Sequence, residues 1–215
     1  MLNATDAHTY LYLHGFASGP TSSKGLDLQK RFRACQQELL LPDLNQGDFT
    51  HLTLTRQIQY VNELLDDHPA TLIGSSLGGL VAAWVAEKNP RVERLILLAP
   101  AFCFLTHWLE RLGADQVQRW QEETYLSVYH YGQQTSLPLH YHFLQDAQCY
   151  PDERLQRPIP TLILHGFKDE IVPIQVSREY AANRPWVELI ELDSDHGLGN
   201  VKEKIWQKTQ SFCHL

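Results

Sequence analysis

The sequence predicts an α/β protein: a mainly parallel sheet with helices on both faces and an insertion lying over the strand ends. Three observations carry this. Short apolar runs alternate with helix-period segments along most of the chain, the pattern of repeated βα units. Residues 95–99 form a continuous apolar run, as in a strand buried on both faces. Residues 101–158 then interrupt the rhythm with a connection far longer than an ordinary link between strands.

In order, residues 9–13 read as an apolar strand ending at His14-Gly15-Phe16, followed by a loop at 17–24 rich in Ser, Gly and Pro. A helix is expected at about 25–33, and a second strand at 38–41, closed by Pro42. The stretch 52–67 places Leu54, Ile58, Val61, Leu64 and Leu65 on one helical face. A third strand at 70–73 runs into Gly74-Ser75-Ser76-Leu77-Gly78, and its helix stops at Asn89-Pro90. Residues 95–99, 161–165 and 187–192 are the fourth to sixth strands, with helices near 174–183 and 201–212. The long connection contains helix-like stretches at 104–112 and 114–123, then an aromatic, His-rich part. We read 1–215 as one domain carrying a small cap at about 101–158.

Composition narrows the function classes. A chain of 215 residues with 43% hydrophobic content can bury a large core. Its net charge of −7 argues against nonspecific binding to nucleic acid or anionic membranes, both of which want a basic face. The four cysteines show no paired spacing and no secretory leader is evident, which suggests reduced thiols in a cytoplasmic protein. The longest apolar run, 95–105, is broken by Pro100 and is too short to span a bilayer. His140-Tyr141-His142 is half of a metal-ligand pattern with nothing at ligand spacing to complete it, so no metal is expected.

Chemistry concentrates at three strand ends. Gly74-x-Ser76-x-Gly78 between a strand and a helix is the context of a nucleophile elbow. Glycines flank the serine because bulkier neighbours would clash in so sharp a turn. The turn sets Ser76 at a helix N-terminus, where a developing oxyanion is favoured. Asp169 follows the fifth strand and His196 the sixth. A serine hydroxyl is a weak nucleophile at neutral pH and needs a base, and the base needs an acid to orient it. The chain order Ser76, Asp169, His196 supplies nucleophile, acid and base. Glu170 and Asp193 are rival acids, Ser75 is a rival serine, and His14 and His165 read as turn-stabilising residues. Phe102 and Trp108, in the insertion, are candidate walls of a substrate pocket.

With Tyr12-Leu13-His14-Gly15-Phe16, the Ser-rich loop 18–24, Gly74-Ser75-Ser76-Leu77-Gly78-Gly79 and Asp195-His196-Gly197, the chain resembles the α/β-hydrolase superfamily and, within it, the small YqiA-type esterases. The resemblance implies hydrolysis of small-molecule carboxylic esters or thioesters through a Ser76 acyl-enzyme, without a cofactor. It also implies an oxyanion hole from the backbone N–H groups of Phe16 and Leu77. With too few residues before the first strand for the superfamily's opening hairpin, it implies six strands in the order 2-1-3-4-5-6 and a helical cap. Two other uses of the same fold stay open: a non-catalytic protein that binds a ligand or partner, and a C–C hydrolase or acyltransferase with the same triad.

Overall fold

The computed structural model describes residues 8–215. The expectation about a leader concerns residues 1–7 and lies outside them. Strands β1 (Thr9–Leu13), β2 (Ala70–Ser75), β3 (Val92–Leu98), β6 (Thr161–Gly166) and β7 (Val187–Leu192) form one parallel sheet in the order β1-β2-β3-β6-β7. Side chains alternate between its faces, so each strand feeds two cores. Leu11, Leu13, Leu72, Leu95 and Leu97 pack on one side, and Tyr10, Tyr12, Ile73, Ile96 and Leu98 on the other.

The helices cover those faces. Helices α2 (Leu54–Leu64) and α3 (Leu77–Lys88) close the first core. Helices α1 (Ser23–Ala34) and α8 (Lys202–Cys213) close the second through Leu28, Phe32, Ile205 and Trp206. Thr53 starts α2 by accepting the Arg56 N–H at 3.0 Å, an N-cap that satisfies one orphan donor. Helix α7 (Ile174–Ala182) follows β6. No helix among the described residues is long and apolar enough to cross a membrane.

Two expectations need correction. The strand expected at 38–41 is a single parallel bridge between Leu40 and Leu11, held by Tyr12 N–H to Leu40 O at 2.8 Å and Leu40 N–H to Tyr10 O at 2.9 Å. The chain meets the outer edge of β1 where expected, but Pro42 has no N–H to continue the ladder. The sheet therefore has five strands. The insertion is also not purely helical. After α4 (Phe104–Leu112) and α5 (Ala114–Glu123) comes an antiparallel hairpin, β4 (Tyr125–His130) with β5 (Thr135–His140), then α6 (His142–Ala147). Trp120 pins α5 to the hairpin by donating Nε1–H to Leu139 O at 2.8 Å. The hairpin in turn docks on the body through Tyr131 N–H to Ala17 O (2.8 Å) and His140 N–H to Thr50 O (2.9 Å).

Candidate active site

The turn from β2 into α3 explains its own glycines. A Cβ on Gly74 would lie 2.3 Å from Gly78 O, and one on Gly78 would lie 2.2 Å from Leu13 O. Between them Ser76 sits at φ 54°, ψ −120°, a region that residues with side chains seldom occupy. The surroundings hold it there: its N–H donates to Leu98 O at 2.9 Å, and its carbonyl accepts the N–H groups of Gly79 and Ala101.

Asp169, in the loop after β6, and His196, in the loop after β7, meet this serine. His196 Nε2 is 3.1 Å from Ser76 Oγ, and His196 Nδ1 is 2.7 Å from Asp169 Oδ2. A carboxylate only accepts, so Nδ1 carries the proton and Nε2 is left to accept from the hydroxyl. The Asp169 side chain is fully buried. Burial by itself would raise its carboxyl, but hydrogen bonds from His165, His196 and the Val172 N–H outweigh it and hold the group well below the usual carboxylate range. The rival acids fall elsewhere. Glu170 is exposed, and Asp193 pairs with Lys168. Ser75 is buried as the last residue of β2.

Phe16 and Leu77 flank Ser76 from two sides. Leu77 is the first residue of α3. The Gly15-Phe16 turn is close enough that a Cβ on Gly15 would lie 3.3 Å from Ser76 Cβ. Among the described residues, neither the Phe16 nor the Leu77 N–H has a hydrogen-bond acceptor. His14 fixes the intervening peptide: Nδ1 donates to Gly15 O at 2.9 Å, while Nε2 accepts the Leu44 N–H at 3.0 Å.

A cavity of about 490 Å³ opens onto Ser76 and His196. Its lining is mainly apolar and includes Phe102 and Trp108, together with Phe16, Phe104 and Val128. Sequence reasoning missed the contribution of the hairpin, where Val128 and Tyr129 reach the cavity. The period-two placement of Leu126 and Val128 about Ser127 was the available sequence signal, and Pro138 in the second strand hid its partner. It also missed Lys24, which lines the cavity as well. Burial pushes this ammonium down to about 8, against the pull of the Asp169 and Asp195 carboxylates.

Comparisons with known proteins agree with this architecture. A family model described as "Uncharacterised protein family (UPF0227)" matches residues 9–213. The mouse protein named "Palmitoyl-protein thioesterase ABHD10, mitochondrial" is 31% identical over 144 residues, covering 63% of this chain and 48% of that protein. The chain thus spans about half the length of that relative. The solved structure of mouse alpha/beta hydrolase domain-containing protein 10 superposes with a TM-score of 0.75 at 23% identity, over 96% of this chain and 87% of that one. Est1E from Butyrivibrio proteoclasticus, solved with ferulic acid bound, gives 0.80 at 19% identity, over 99% and 90%. These likenesses establish the α/β-hydrolase fold.

Proposed function

Since the chain belongs to the UPF0227 family and has the α/β-hydrolase fold, we propose that it is a serine hydrolase. It cleaves carboxylic esters or thioesters of small to medium acyl groups through a Ser76 acyl-enzyme. The observation that carries this is His196 bridging Ser76 at 3.1 Å and buried Asp169 at 2.7 Å. His196 takes the hydroxyl proton as Oγ attacks the acyl carbon, and Asp169 stabilises the imidazolium. The N–H groups of Phe16 and Leu77 receive the oxyanion at no cost in reorganisation, because nothing else occupies them. His196 then returns the proton to the leaving alcohol or thiol. Water enters by the same route, gives its proton to His196 and frees the acid from Ser76 Oγ.

The names of two similar proteins bear on the bond class. The mouse relative is named a palmitoyl-protein thioesterase, and Est1E was solved with an aromatic acid bound. A palmitoyl group and ferulic acid both carry a carboxylic acyl carbon, and the apolar cavity beside Ser76 suits such a group. The test is Ser76→Ala. The variant should fold like the parent, lose turnover of activated esters and thioesters, and no longer take a fluorophosphonate label. Turnover that survives the substitution would remove the assignment. A folded parent that neither labels nor turns over would favour the ligand-binding alternative.

A further inference from the structure

Asp169 Oδ2 receives a second imidazole. His165 Nε2, on β6, lies 3.1 Å from that oxygen and 2.9 Å from Val172 O. Both partners only accept, so Nε2 carries the proton and shares it between them. His165 Nδ1 then accepts from the Ser177 hydroxyl at 2.8 Å, on α7. Both His165 and Ser177 are wholly buried. The result is a chain with Asp169 at its centre: Ser177–His165 on the closed side and Ser76–His196 on the side of the cavity. We propose that His165, with its Nδ1 accepting from Ser177, is a positioning residue that sets the Asp169 carboxylate for His196. The inference rests on the triad reading above.

Two consequences follow from the geometry. Oδ1 is held by the N–H groups of Ile171 and Val172, both at 2.8 Å, and Oδ2 by two imidazoles. All four acceptor sites are filled and the carboxylate plane cannot turn. In addition, a carboxylate oxygen shared by two donors gives less of its charge to each. His165 thereby limits how strongly Asp169 stabilises the His196 imidazolium. The other titratable groups facing this cluster are His196 itself, Lys24, which feels both Asp169 and Asp195, and Glu191, in register with His165 on β7. None replaces the donor that His165 supplies to Oδ2.

His165→Phe keeps an aromatic ring and removes the donor, His165→Gln keeps a donor at similar reach, and Ser177→Ala removes only the hydroxyl that His165 Nδ1 accepts from, which leaves Nε2–H a weaker donor to Asp169. For His165→Phe, kcat on an activated ester should fall about 10–100-fold, the range seen when an outer hydrogen-bond partner is lost, with KM held within about twofold. The acid limb of kcat/KM should move to higher pH, because the remaining imidazole then has Oδ2 to itself. His165→Gln should recover most of kcat, and Ser177→Ala should move the acid limb in the same direction by less. If His165→Phe fails to fold by circular dichroism, the pH profile of Ser177→Ala decides the matter. Loss of turnover in Ser76→Ala, with an unmoved acid limb in folded His165→Phe or in Ser177→Ala, would overturn this inference and leave the hydrolase reading standing. Survival of turnover in Ser76→Ala would remove both.

Discussion

Asp169 shows how much one side chain is asked to do. Its carboxylate is buried, ionised and held by four donors, an arrangement that stabilises the fold and, on the proposed reading, orients the base. Asp169→Asn keeps the shape but presents the wrong group to His196 Nδ1, so kcat should fall by roughly three to four orders of magnitude. A loss under tenfold would point to another acid. The same carboxylate links stability to pH. Its folded value lies below the unfolded one, so its contribution is fully present above the usual carboxylate range and is lost as pH falls through that range and below. The difference in melting temperature between wild type and Asp169→Asn should therefore shrink steadily on acidification. Lys24 has the opposite sense. Burial lowers its ammonium from 10.5 to about 8, so the folded protein carries an unfavourable buried charge below pH 8. Lys24→Met should stabilise the fold at neutral pH by on the order of 1–3 kcal/mol. That gain should vanish as pH rises from about 8 towards 10.5, which melting curves across this window would check.

At the scale of elements, the elbow and the cap constrain Ser76 from opposite sides. The glycines of the elbow face backbone, which cannot swing away as the end of a side chain can. Gly78→Ala should therefore lower stability by roughly 1–3 kcal/mol through overpacking, visible as a reduced melting temperature together with lost activity. The cap reaches the same centre through Phe16. The Phe16 ring lies 5.4 Å from Trp108 and 5.4 Å from Phe143, and the proposed function uses its N–H for the oxyanion. Trp108→Ala removes one of those contacts and opens the cavity wall. It should cost roughly 3 kcal/mol of stability and shift the preferred acyl chain to greater length. An unchanged chain-length preference would show that Trp108 is not part of the wall.

On the proposed reading, the whole molecule sets how long an acyl group can be. The body supplies the floor of the cavity through Ser76 and Phe16, and the insertion supplies Phe104, Trp108 and Val128. Each methylene buried there contributes about 0.8 kcal/mol, which is about fourfold in kcat/KM. Specificity should climb along a series of esters and drop once the chain meets the cap. A profile still rising at the longest chains would mean an open groove. The charge of −7 belongs to this scale too, since it disfavours encounter with polyanions whatever the site can do locally.

The sequence by itself determined most of the βα order and the three strand ends that carry Ser76, Asp169 and His196. These are local properties: apolar runs, helical periodicity and the Gly-x-Ser-x-Gly spacing between a strand and a helix. It also marked the first two helices of the insertion, because α4 and α5 carry their own apolar stripes, but not the short α6. Only the tertiary structure decided the rest. The second strand shrank to one bridge because pairing depends on what the edge of β1 meets after Pro42, and periodicity cannot report that. The hairpin stayed hidden because its inward side is defined by Trp120 on the preceding helix and by the loop at Thr50, the latter distant in sequence. His165 read as a turn residue because its partners, Asp169, Val172 and Ser177, face it only once β6 and α7 have packed. Hydrogen-bond direction among buried groups depends on which acceptors end up nearby, and that is fixed by three-dimensional packing.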